Sequence, residues 1–387
     1  MQRNSRLRKL AKEEDGFSLV FVGLGFMAFL GVCMLAIDVG MLMTARSQAQ
    51  NSADAGALAG ATALVFNDWN DRSASGPAVT NAVNAALGNQ VMSGNVNVTP
   101  ADVVFLADAS GQNDQVQVTV HRDSSRGNAI DTMIAQYFGI RTVGVNATAT
   151  AEASPADTET CVKPFTIPDR WREVTSPPFD PNTSTFDMYD NKGNLLSPAD
   201  VYIGPDDAAN YTGYNADKDK GLEIILKADN GTKIAPSFYY PWDMPLNGAG
   251  AADYNWNIGN CNTTLMKFGD IFPPKPGDMT GPTAQGIQQL INLDLSATWD
   301  TVNNRISSTM SPSPRLVAIP LFDPVYYAQG IQQGRNASLK FVNYLGFFIE
   351  DMQGNTVRGR ITPIGGLRQG GTPAPAGAFP RSIRLVR

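Results

Sequence analysis

Few residues in this sequence could do chemistry. Its 387 residues include one histidine, His121, and three cysteines, Cys33, Cys161 and Cys261. A single imidazole excludes multi-histidine metal centres and HExxH chemistry, and leaves no spare histidine for a triad. His121 follows Gln115, Gln117 and Thr119 at alternate positions. It therefore reads as an exposed residue near the end of a strand, not as an acid–base catalyst. Asn215-Ala216-Asp217-Lys218-Asp219-Lys220-Gly221 spaces oxygen ligands as calcium loops do. The glycine comes one place late for an EF-hand, and Leu226 stands where a glutamate is needed, so a plain turn is expected. The aromatic clusters Tyr239-Tyr240-Pro241-Trp242 and Tyr254-Asn255-Trp256 could offer a surface to a glycan or partner, but burial in a loop-rich β domain is the preferred reading. No catalytic, cofactor-binding or metal-binding residue is assigned and no small-molecule substrate is evident. A non-enzymatic protein is expected.

The elements that hold these residues begin with a membrane anchor. Arg3, Arg6, Arg8, Lys9 and Lys12 precede an uncharged run from Gly16 to Ile37. Phe17–Ile37 would extend about 31 Å as a helix, which matches a hydrocarbon core of roughly 30 Å. Its length argues against a cleavable signal peptide, and the helical pattern continues past it. Arg46 is the next basic residue, so the positive-inside bias places the N-terminus in the cytoplasm and the rest outside. The net charge of −6 also divides: without the five basic residues of the tail, 25 basic side chains face 36 acidic ones. An acidic body argues against nucleic-acid binding. Cys33, deep in the run, reads as a small apolar residue. Asp38 lies at the far end of the span, either as a solvated acid, the preferred reading, or as a contact with another membrane subunit.

The helical pattern continues without proline to Phe66. Small residues recur at Ala45, Ala49, Ser52, Gly56, Ala59/Gly60 and Ala63, a stripe that lets another backbone approach closely. A sheet of the same chain is the preferred neighbour; a partner helix is the other. Three segments then carry a family likeness: Asp15-Gly16-Phe17-Ser18 opening the run, Ala36-Ile37-Asp38-Val39-Gly40 closing it, and Asn51-Ser52-Ala53-Asp54-Ala55-Gly56-Ala57-Leu58-Ala59 beyond. Over residues 13–63 the chain resembles the TadG-like family of Tad/Flp (tight adherence) pilus-assembly proteins. The resemblance implies a single-pass inner-membrane protein with a periplasmic body, working with other pilus-assembly subunits to build adhesive pili. Asp38, Gly40, Asn51, Ala53, Asp54 and Leu58 carry over as motif residues, without a catalytic role. Together with Ala45, Ala49, Ser52 and Gly56 they are the expected helix-docking and partner-contact residues. Gly16-Phe17 is also similar to a prepilin-peptidase site, which makes a released minor pilin or adhesin the alternative. The glutamate that pilins carry five residues after the cut would fall at Phe21 and is absent.

Past the helix, Asn70–Pro77 reads as a turn and Ala78–Leu87 as a helix ended by Gly88. Asn95–Thr99, Val103–Ala107, Gln115–His121 and Thr142–Glu152 read as strands, and Ala129–Phe138 as a helix stopped by Gly139. Val103–Gly111 resembles the strand and D-x-S-x-S loop of von Willebrand A domains. Gln112 replaces the second serine, so Ala109–Asp114 is read as a hairpin loop. From Pro155 on, Pro, Gly, Asn and Asp punctuate short apolar runs at Leu222–Lys227, Ile234–Tyr240, Leu316–Phe322, Lys340–Ile349 and Thr356–Ile361, with one helix near Thr283–Leu293. In an oxidising compartment Cys161 and Cys261 are expected to pair. The expected fold class is α+β. A basic cytoplasmic tail (1–15) leads into a transmembrane helix (16–40), extended into a pilin-like α/β periplasmic domain (41–154). A β-rich periplasmic domain (155–387) follows.

Overall fold

The computed structural model describes residues 4–386 apart from 68, 108–113, 229–232, 246–247, 249, 311, 333–336, 370–373 and 376, with side chains from Ser18 onward except at Met34. The von Willebrand-like loop at 108–112 thus lies outside the described residues. The protein is mixed α+β: a long N-terminal apolar helix leads into a sheet and then a β-barrel. Helix α1 (Asn4–Phe66) runs unbroken for 63 residues, about 95 Å at the ordinary helical rise. Its Ser18–Ile37 portion is long and apolar enough to cross a membrane, and none of its described side chains is buried. Beyond Asp38 the helix acquires a buried side. Helix α2 (Pro77–Leu87) starts on a proline, whose missing N–H has no helical partner to lose, and stops at Gly88. It buries Ala78, Val79, Ala82 and Ala86.

Strands β1 (Val103–Leu106), β2 (Gln115–Arg122) and β3 (Val145–Pro155) form antiparallel pairs, with Val118 opposite both Val103 and Ala149. Val116, Val118 and Val120 are buried, as are Val145, Ala147 and Ala149, so the period-two pattern becomes one apolar sheet face under α1. The expected helix over Ala129–Phe138 is not formed. Ile130–Asp131 pairs with Thr142–Val143, and only Ala135–Phe138 makes a single 3₁₀ turn, closed by Gly139 at φ 89°. A helix of that length is held by burial of one face. Here Met133, Tyr137 and Phe138 are exposed.

Six strands close a barrel: β4 (Phe165–Pro168), β5 (Glu223–Ala228), β6 (Phe238–Pro241), β7 (Leu316–Phe322), β8 (Leu339–Gln353) and β9 (Thr356–Thr362). Around the ring the order is β8-β7-β4-β6-β5-β9, and β9 returns to β8. Pairs β4–β7 and β5–β6 are parallel and the others antiparallel. Strand β8 serves two neighbours: Phe341–Phe348 faces β7, and Gly346–Gln353 faces β9. At Gly346, where they overlap, a Cβ would collide with the Thr362 carbonyl oxygen, so only glycine fits the crossing. Phe165, Ile167, Leu321, Leu345, Phe347 and Ile361 fill the interior. Helices α3 (Ala251–Gly259) and α4 (Thr280–Leu293) add Ile258, Ile287 and Leu290 to the same cluster. Outside the barrel wall, Trp242 lies 5.0 Å from Phe341, ring to ring. Helix α5 (Pro324–Gln332) links β7 to β8. A Cys161–Cys261 disulfide, spanning 100 residues, ties the segment before β4 to the residues after α3.

The chain then returns to its first sheet. Strand β10 (Ile364–Gly365) runs parallel to β11 (Pro380–Val386), and β11 pairs antiparallel with β3, Arg381 opposite Pro155 and Val386 opposite Thr150. The sheet under α1 has the order β10-β11-β3-β2-β1.

Candidate functional site

The stripe on α1 forms a seam within the chain. Ala45, Ala49, Ala53, Ala57 and Ala61 recur every fourth residue and are fully buried. On a helix that spacing puts them along one side, and α1 packs there on α2, β2 and β3. A Cβ at Gly60 would lie 2.8 Å from Val116 Cγ1, and one at Gly56 3.0 Å from the Ala82 carbonyl oxygen. Polar groups fix the register. Ser52 Oγ donates to the Ala86 carbonyl at 2.8 Å, and the Gln48 side-chain oxygen accepts from the Met92 N–H at 2.8 Å. Of the residues expected to dock or contact a partner, Ala45, Ala49, Ser52, Ala53 and Gly56 are buried in this seam. Asp54 and Leu58 are half-buried, and Gly40 and Asn51 are exposed.

Asp38 is not the solvated acid expected from its place at the end of the span. Its carboxylate accepts three backbone N–H groups, from Met133 at 2.9 Å, Ile134 at 2.9 Å and Ala135 at 2.6 Å. Only 2% of the residue is exposed. The bond set is that of a helix N-cap, supplied from a distant element: a carboxylate oxygen satisfies the orphan donors at the start of the Ala135–Phe138 turn. Asp38 thus clasps a loop of the extended domain to the point where the apolar run ends. Sequence reading missed Met133–Ala135 as its partners. Their only local signal was the cluster of Met133, Ile134, Tyr137 and Phe138 between Asp131 and Arg141.

His121 is half-buried, not exposed. Its ring nitrogens lie 3.3 Å from Asp102 and 3.4 Å from Asp123, and Arg126 closes the group at 2.7 Å from Asp102. The turn carrying Asp102 folds back beside the strand, which the alternation alone did not reveal. In the calcium-like loop, Asp219 is bound by Arg170 at 2.7 Å and by the Asn215 N–H at 2.8 Å, so its oxygens hold the turn. Among the described residues no group of three or more His, Cys, Asp and Glu is arranged to hold a metal. Tyr239, Tyr240, Trp242 and Tyr254 are buried, and Trp256 is exposed.

Two buried carboxyls in the barrel unit make its stability depend on pH. Burial pushes Asp169 up to about 7, although the Tyr214 N–H, the Tyr211 and Tyr202 hydroxyls and the Arg170 N–H all donate to it. Burial likewise pushes Glu159 up to about 8 against one N–H donor, Thr160. Both start from ordinary values of 3.8 and 4.5. Between these limits the folded chain binds more protons than the unfolded one. Their contribution is therefore complete below about pH 4 and is lost as pH rises through 7 to 8. Asp102, Asp190 and Asp294, held below the usual carboxylate range, stay ionised in both states over most of that window. The expected result is a denaturation midpoint that falls between about pH 5 and pH 8. Replacing Glu159→Gln together with Asp169→Asn flattens that slope. A profile equally steep in the double variant contradicts the assignment.

Comparison with known proteins bears on the N-terminal helix. Residues 16–63 match the Tad family model, described as "Putative Flp pilus-assembly TadE/G-like". Neither the curated proteins nor the solved structures yield a match to the chain. The matched segment holds the apolar run, Asp38 and most of the seam, and on those residues the match supports assigning the chain to the TadG-like family of Tad/Flp pilus-assembly proteins.

Proposed function

We propose that the protein is a non-enzymatic, single-pass component of the inner membrane that serves Tad/Flp-type pilus assembly or secretion. In this reading its basic tail lies in the cytoplasm and both the sheet and the barrel lie in the periplasm. Helix α1 anchors the body, and its exposed face around Gly40 and Asn51, with the edge at Asp54 and Leu58, meets other assembly subunits. The observation that carries this reading is the family match over 16–63, which coincides with the segment able to span a bilayer and with the seam that makes the span continuous with the folded body. The basic residues ahead of the span and their scarcity after it support the orientation.

Deleting the gene is expected to abolish surface pili and adherence, and the full-length chain supplied in trans restores both. Normal pili in the deletion strain would sink the proposal. N-terminal sequencing of the membrane-extracted protein is expected to begin within the basic tail. A start at Phe17 would instead make it a processed, pilin-like subunit.

A further inference from the structure

Thr132–Arg141, with the sequence TMIAQYFGIR, contains no acidic side chain and ends on an exposed arginine. Met133 is 57% exposed, Tyr137 81%, Phe138 74% and Ile140 53%. Single exposed apolar residues are ordinary on a protein surface, but this is a cluster, and it sits at a defined height. Asp38 holds the backbone of 133–135 directly after Ile37, the last residue of the apolar run. Four further backbone donors of the loop are satisfied within the chain. The Thr132 N–H bonds to the Arg141 carbonyl at 3.0 Å, Tyr137 to Ile134 at 3.0 Å, Gly139 to Gln136 at 3.1 Å and Ile140 to Ala135 at 3.0 Å. A loop open to water needs no such closure, whereas backbone placed against hydrocarbon does.

We propose that Thr132–Arg141 is a membrane-interface anchor, lying in the headgroup layer of the bilayer that α1 crosses. Tyr137 and Phe138 rest at the headgroup–acyl boundary, where aromatic rings are enriched, and Arg141 lies among lipid phosphates. The inference rests on the spanning role of α1. Lipid is the occupant that fits because Asp38 holds the cluster at the end of the exposed apolar run, where Val39 and Met43, on α1 just past Asp38, are exposed as well. The loop and the helix then grip the membrane at two points. This limits tilt of the body about α1, and the Asp38 clasp sets the distance between the two.

The test uses the full-length protein in vesicles of phosphatidylcholine and phosphatidylglycerol. A Cys33→Ser background leaves the disulfide intact, and spin labels are placed through Leu24→Cys, Phe138→Cys or Asn303→Cys. Expected is a Leu24 label in hydrocarbon, an Asn303 label in water and a Phe138 label about 5–10 Å inside the interface. A Leu24 label in hydrocarbon with a Phe138 label as wet as that at Asn303 overturns the anchor and leaves the spanning role standing. An aqueous Leu24 label overturns both. Asp38→Ala is expected to release the Phe138 label from its depth while the Leu24 label keeps its own. An unmoved Phe138 label overturns the part assigned to the clasp.

Discussion

Replacing Cys161→Ser and Cys261→Ser together is expected to lower the stability of the barrel unit by up to about 4.7 kcal/mol, the chain-entropy value for a loop of this length. The bond closes 100 residues, and what it closes explains why the effect should be large. Strands β4, β5 and β6 all lie inside that loop, half of the ring. Strand β4 is joined to β5 by the long irregular stretch from Asp169 to Leu222, whose turns are held in part by side-chain bonds such as Asp200 to the Val174 and Asp187 N–H groups. Without the bridge, the unfolded chain regains the freedom of that whole segment while the folded state loses no hydrophobic contact. Four of the five tryptophans, at 171, 242, 256 and 299, belong to this unit, so denaturant unfolding of the full chain followed by fluorescence reads it directly. A loss of less than about 1 kcal/mol would show that the denatured barrel keeps its two halves together without the bond.

Gly60→Leu is the second large effect. A Cβ at this position already meets Val116 Cγ1 at 2.8 Å and Ala82 Cβ at 3.2 Å, and a leucine adds three more carbons to the space between helix and sheet. Overpacking a close-packed interface costs roughly 1–3 kcal/mol, occasionally more. The clash falls on two elements at once, because β2 and α2 both press on the same glycine. The expected outcome is that α1 lifts from β2 locally, with faster amide exchange in Val116–Val120 and fewer surface pili. Gly40→Leu supplies the control. No atom lies within 4 Å of a Cβ there, so exchange in β2 stays at its wild-type rate. Equally fast exchange in β2 from both substitutions would contradict a seam specific to the region beyond Asp38.

The long apolar helix was legible because its length and composition alone specify it. The seam was legible because small residues at helical spacing have one geometric meaning whichever surface receives them. The barrel strands around Leu316–Phe322 and Lys340–Ile349 appeared as near-continuous apolar runs, as buried strands do. Ring closure could not be read, since it depends on β8 pairing with two neighbours around Gly346. Strand β11 escaped notice because Ser382 and Arg384 alternate with only two apolar residues, Ile383 and Leu385, after a Gly- and Pro-rich stretch. Asp38 and His121 were misplaced for one shared reason. Each finds a partner in a turn brought close only by tertiary folding: Asp102 for His121, and for Asp38 the N–H groups of Met133–Ala135, which have no residue-type signature.

The return of β11 to β3 sets an order of events. Glu152 and Arg384, 232 positions apart, meet across this pair. The entire barrel is thus an insertion between two adjacent strands of the sheet that carries α1. If the body crosses a membrane in chain order behind α1, strands β1, β2 and β3 arrive early. The edge of β3 then stays unpaired until the barrel has passed and the last strand follows. An open edge is a template for pairing with other chains, and pairings this far apart in sequence form slowly. The sheet that carries α1 is therefore the last to be completed, although its first strands are the first to be made.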